Sequence, residues 1–182
     1  MNRCSWVKND NKKYIDYHDY VWGAECHNDK LLFKYLVLEM FQAGLSWETI
    51  LNKEQYFEIA FNSFDYNIIS NYDDKKIELL MTNPNIIRNR LKIVSVINNA
   101  KVFINIQKEW GSFNNYIWHF TNFKQIHYKK IHTHNSLSDK IYSDLKKRGM
   151  KFIGSTIIYS YLEAIGVLDN HEDNCFKGGY NV

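Results

Sequence analysis

Glu39 stands where an apolar residue is expected. It lies in residues 28–44 (NDKLLFKYLVLEMFQAG), where Leu31, Leu32, Phe33, Tyr35, Leu36, Val37, Leu38, Met40 and Phe41 run all the way round a helix. A helix of that kind belongs inside a domain. Glu39 falls on the Leu32–Leu36–Ala43 stripe, spaced four, three and four. A buried carboxylate is costly unless it is paired or hydrogen-bonded, so an internal partner or a ligand must answer it. Ring-bearing residues crowd the neighbouring segments: Tyr14, Tyr17, Tyr20 and Trp22 in YIDYHDYVWG, and Trp47 in QAGLSW. If Tyr17 and Trp47 face each other beside an ionised Glu39, they make a slot for a flat cation, held by stacking, cation–π attraction and hydrogen bonds to the acid. The simpler alternative is that these rings only pack the core.

A second set of residues has metal-binding chemistry. Cys4 and His18 lie near the start, His171 and Cys175 near the end. His171-x3-Cys175 presents two ligands one helical turn apart, and Cys4 and His18 could complete a tetrahedral Cys2His2 site. Four protein ligands leave no open position, so such a site is structural and not catalytic. By spacing alone, unrelated thiols and an ordinary polar His18 explain the same residues. The remaining histidines (27, 119, 127, 132 and 134) have no ligand spacing, and His132 and His134 are expected at the surface.

Phosphate chemistry is suggested by residues 83–93 (NPNIIRNRLKI). Asn83-Pro84-Asn85 is a turn, and a turn leading into a helix N-terminus offers backbone N–H groups to a phosphate, with Arg88, Arg90 and Lys92 adding charge. An ordinary helix–helix connection has the same appearance. Between residues 124 and 151, eight Lys/Arg (124, 129, 130, 140, 146, 147, 148 and 151) face two acids, Asp139 and Asp144. This is a solvated face or a phosphate footprint; the net charge of +3 does not choose.

The elements that must position these groups are helical. Ser46 caps a helix to about Phe61, Asp65 a short turn and Asp73 DKKIELLM. A long helix spans about 90–110, and Gly111-Ser112 starts FNNYIWHF. Residues 121–135 are loop-like, Ser136 caps SLSDKIYSDLKKR as far as Gly149, and a last helix covers about 155–165 before Gly166. No stretch alternates as a strand, so an all-α fold is expected. With 182 residues, 45% hydrophobic, and one proline, the chain suits one domain over 1–182 with a sizeable core. No run is long enough to span a membrane, Met1–Val7 lacks a signal-peptide shape, and three cysteines suit a cytoplasmic protein better than a disulfide framework. Nothing demands more than a monomer.

With these residues assembled, the chain resembles the DNA-3-methyladenine glycosylase I family of the helix-hairpin-helix glycosylase superfamily. The matching stretches are RCSWV at 3–7, YIDYHDYVWG at 14–23, LE at 38–39, QAGLSW at 42–47, IIRNRLKI at 86–93, NA at 99–100, KKRGMKFIG at 146–154 and DNHEDNC at 169–175. Residues 52–82 and 112–135 match loosely. The resemblance implies a helical fold that binds double-stranded DNA containing alkylated purines, flips out N3-methyladenine and hydrolyses its glycosidic bond. By position, Glu39, Tyr17 and Trp47, with Tyr14 and Trp22 alongside, match the base-recognition residues. Leu45 matches the side chain wedged into the gap left by the base, and IIRNRLKI the DNA-binding hairpin. Cys4, His18, His171 and Cys175 match the ligands of a structural zinc ion, which reverses the inference from spacing.

Three positions depart from the family pattern. Asn85 replaces a hairpin Gly, a substitution expected to be mild because Asn accepts positive φ. Met40 replaces a Gly after Glu39, where it could narrow the pocket, and Ser155 replaces a common proline. An N3-methylated adenine is cationic and already a good leaving group, so selection and extrusion matter more than strong acid catalysis. Residues 101–120 contain no Asp, which fits a family said to lack the catalytic Asp of its superfamily and argues against a Lys-driven lyase step. The rival readings are a module that binds alkylated or abasic DNA without cutting, a zinc hydrolase, and a purely structural helical protein.

Overall fold

The computed structural model describes residues 1–128 and 132–178. Nine α-helices account for most of them: α1 (Lys12–Tyr20), α2 (Asp29–Gln42), α3 (Trp47–Ala60), α4 (Tyr66–Ile69), α5 (Asp74–Thr82), α6 (Arg90–Trp110), α7 (Phe113–His119), α8 (Ser136–Lys147) and α9 (Ser155–Ala164). Lys129 and Lys130 of the basic segment lie outside the described residues.

Side-chain caps set most of the helix starts. Asn28, Ser46, Asp65, Asp73, Asn89 and Ser112 each accept a hydrogen bond from a first-turn N–H. Each cap satisfies a donor that the helix leaves without a partner. One boundary differs from expectation, and one helix is unexpected. Asn135, not Ser136, caps α8, in a reciprocal box with Ser138. Helix α1 carries only a few apolar side chains among charges, so its periodicity is weak; Asn11 starts it by accepting from Lys13 and Tyr14 N–H.

Helix α2 is the axis of the core. Leu32, Phe33 and every residue from Tyr35 to Phe41 are buried, and α2 packs against α3, α6, α7 and α9. Its all-round apolar surface is satisfied only by neighbours on every side, and Glu39 is carried into the interior with it.

The all-α expectation needs one correction. Ile126–His127 (β1) and Leu168–Asp169 (β2) form a two-stranded parallel pair. It is too short to show as alternation in sequence, and it ties the segment before His171 to the body of the protein. Gln125 Nε2 reinforces this by donating to the Gly23 and Gly166 carbonyls, each at 2.7 Å. Among the described residues no helix is long and apolar enough to cross a membrane.

Candidate base pocket and metal group

Glu39 reaches a cavity of about 320 Å³ where α1, α2, α3 and α9 converge. Trp6, Tyr14, Tyr17, Trp22 and Trp47 supply rings to its wall; Glu39, Gln42, Ser160 and Glu163 supply polar groups. Glu39 is 3% exposed, and no hydrogen bond or ion pair to its carboxylate is found among the described residues. Burial, and secondarily the charge of Glu163, hold its carboxyl well above the usual carboxylate range. The expectation of an ionised acid is therefore corrected: low polarity and a like-charged neighbour favour the protonated form until a cation arrives.

The expected slot also needs correction. Tyr17 and Trp47 do face each other, but their centroids are 5.0 Å apart with planes tilted by 52°. A ring stacked between two others needs about 3.5 Å on each side. The two walls touch because their apolar faces bury each other, and they must part by about 2 Å to admit a base. Trp47 is the first residue of α3, next to the exposed Gly44-Leu45-Ser46 turn, and its buried indole N–H has no partner. A larger hollow of about 430 Å³ shares Tyr17 and Trp47. Its acids are answered, Asp16 by Lys12 and Glu54 and Glu58 by Lys34. The smaller cavity therefore holds the unsatisfied chemistry.

Three of the four proposed ligands come together, with the fourth alongside. The ligand atoms of Cys4, His18 and Cys175 lie within 4.8 Å of one another, and all three residues are buried. His171 adjoins them, its ring centroid 5.1 Å from that of His18, and its buried Nε2 has no partner. Each imidazole is oriented from behind: His18 Nδ1 bonds Asp19 at 2.8 Å, and His171 Nδ1 bonds Asp169 at 2.6 Å. Asp19 is in turn held by Arg3 at 2.7 Å. With Nδ1 as donor, each Nε2 keeps its lone pair, as in carboxylate–histidine–metal arrangements. Backbone N–H groups of Glu172 and Lys177 point at Cys4 Sγ and Cys175 Sγ. An orphaned buried imidazole nitrogen beside two thiols and a second imidazole fits a metal ion. Gly23 permits the approach: at φ +72°, a Cβ there would lie 2.7 Å from His171 Cε1.

The hairpin residues divide three ways. Arg88 is exposed, Arg90 is exposed and paired with Glu78, and Lys92 is 4% exposed. Lys92 Nζ donates to the carbonyls of Phe41 at 2.9 Å and Ala43 at 2.7 Å. The expectation that its ammonium faces a phosphate is thus corrected: the α2 C-terminus has carbonyls in need of donors, and Lys92 meets them. Leu45 is 38% exposed at the tip of the turn that Lys92 supports. Asn85 does not use positive φ; the Asn83 side chain accepts its N–H at 3.0 Å and shapes the turn instead. Met40 is turned from the pocket towards Asn99, so it does not narrow it. In the basic segment Arg148 is committed to Glu109 and Asp144.

Sequence reasoning did not single out Trp6, Gln42, Ser160 or Glu163 as lining residues. Trp6 and Gln42 lay inside matched motifs and could have been found; Ser160 and Glu163 had no local signal.

The family model described as methyladenine glycosylase matches residues 6–178. The chain belongs to the methyladenine glycosylase family. It is 37% identical over 180 residues to DNA-3-methyladenine glycosylase 1 of Escherichia coli strain K12, covering 96% of each chain. It is also similar to the solved 3-methyladenine DNA glycosylase I of Staphylococcus aureus, described for its recognition of 3-methyladenine (35% identity, TM-score 0.92, covering 100% of this chain and 99% of that one). A variant 3-methyladenine DNA glycosylase I in complex with 3-methyladenine has a TM-score of 0.93 at 34% identity, with both chains fully covered. As a member of the methyladenine glycosylase family, the chain has its pocket and its Cys/His group within the matched residues, except that Cys4 lies just before them.

Proposed function

We propose that this protein is a monofunctional DNA-repair glycosylase, acting as one domain over residues 1–182, that flips N3-methyladenine out of alkylated double-stranded DNA and hydrolyses its N-glycosidic bond. The observation that carries this reading is the buried, partnerless carboxyl of Glu39 in a pocket walled by five aromatic rings. A cationic purine supplies the charge that pocket lacks. Tyr17 and Trp47 part and stack on its two faces, and Glu39 accepts hydrogen bonds from its edge. Neutral adenine offers the acid less and remains firmly attached to its sugar, so selection and reactivity act in the same direction.

Leu45 fills the gap left in the stack. Arg88, Arg90 and the α6 N-terminus hold the backbone, while Lys92 acts from inside by fixing the turn that carries Leu45. Cys4, His18, His171 and Cys175 would hold a zinc ion with no open position, a structural role that joins the two ends of the chain. The protein works as a monomer in the cytoplasm, where its DNA is.

Incubation with methylated duplex and chromatography of the released material tests the reading. Free N3-methyladenine is the expected product; tight binding of methylated or abasic DNA with no base released would instead make this a binding module.

A further inference from the structure

Glu163 is a second carboxyl in the pocket, and the proposed excision gives it no role. It sits on α9, close to one turn beyond Ser160, and is 9% exposed. Asn170 Nδ2 donates to its Oε1 at 2.6 Å and also to the Tyr159 hydroxyl at 2.8 Å, which fixes the carboxyl in place. The titratable groups around it are Glu39 from α2, Tyr14 and Tyr17 from α1, and Tyr159 through Asn170. Asp169, on β2, is turned to His171. Among the described residues, no lysine or arginine pairs with either acid.

We propose that Glu163 is a specificity-determining residue: with Glu39 it forms a two-carboxyl socket that selects a purine carrying a positive charge over a neutral purine of the same shape. This rests on the proposed function and deepens it. Two buried acids in one small cavity do not both ionise cheaply, so the pair keeps protons that a cation displaces. A purine cation enters, one carboxyl ionises and one proton leaves to solvent, so the net charge of the socket and its occupant is conserved at zero. A neutral purine displaces no proton and gains no such attraction. Burial pushes the Glu163 carboxyl up to about 7 and holds that of Glu39 well above the usual carboxylate range, in keeping with this exchange.

The test compares a fixed cation, 3,9-dimethyladeninium, with neutral 9-methyladenine, each titrated against the full-length protein by quenching of the pocket tryptophans. Glu163→Gln keeps the acceptor for Asn170 and removes the charge. Its preference for the cation is expected to fall about tenfold, the scale of one lost opposite charge in a partly buried site, while Glu163→Asp restores most of it. Calorimetry of the wild type in two buffers of different ionisation heat is expected to show proton release with the cation and none with the neutral base. An unchanged preference in Glu163→Gln, or no proton release in the wild type should that variant not fold, overturns the proposal. Absence of base release from methylated DNA would instead sink the proposed function, because the two-probe ratio is read without any excision.

Discussion

The indole of Trp22 meets the imidazole of His171 edge-on, with ring centroids 4.6 Å apart. Trp22 also lines the cavity that holds Glu39, and Trp6, another wall residue, lies 4.9 Å from it. The Cys/His group and the cavity therefore share a wall.

Loss of the proposed metal should be felt in both places. Cys4→Ala or Cys175→Ala is expected to release zinc and lower the melting temperature by roughly ten degrees, given several kcal/mol lost and about 2–4 °C per kcal/mol at this size. Binding of free base should weaken as well, through Trp22. Metal analysis of the purified wild type that finds no zinc would end the clasp idea.

Glu39→Gln should lower base release by on the order of 10–100-fold, the scale of a lost charge-assisted hydrogen bond. Binding to abasic DNA, which presents no base to the pocket, should be nearly unchanged. Excision at the wild-type rate would remove Glu39 from its assigned role.

The two acids give stability a definite pH slope. Glu163 goes from an ordinary value of 4.5 to about 7 in the folded protein, so the folded state keeps a proton that the unfolded chain has lost. This contribution is present below about 4.5 and is lost as pH rises towards 7, a change of about 3 kcal/mol. Glu163→Gln should flatten that part of the curve in melts at pH 5 and pH 7.5; a curve parallel to the wild type would contradict it.

Lys92 and Arg88 should behave as opposites although both lie on the hairpin. Lys92→Ala leaves two carbonyls at the α2 end without their donor, and should cost about 2–3 kcal/mol of stability and lower excision by displacing Leu45. Arg88→Ala should leave the melting temperature unchanged, weaken DNA binding, and reduce the slope of log affinity against log salt by about one. Salt titrations and melts on both variants distinguish the two roles.

Much of this protein is legible in one dimension. Asn28, Ser46, Asp73 and Ser112 mark helix starts because a cap is a contact within four residues. Burial of Glu39 follows from the all-round apolar surface of α2, and the ring-rich motifs and the Cys/His set are recognisable as family patterns. Other features depend on residues distant in sequence. Lys92 reads as a surface cation until the α2 carbonyls, some fifty positions away, are seen to receive it. The contact of Tyr17 with Trp47, the presence of Glu163 beside Glu39, and the Trp22–His171 wall each join segments that no local spacing relates. Local hydrogen bonding and periodicity therefore determined the helices and the buried acid. The protonation of that acid and the direction in which each charged side chain points were decided only when packing set the solvent and the neighbours around each group.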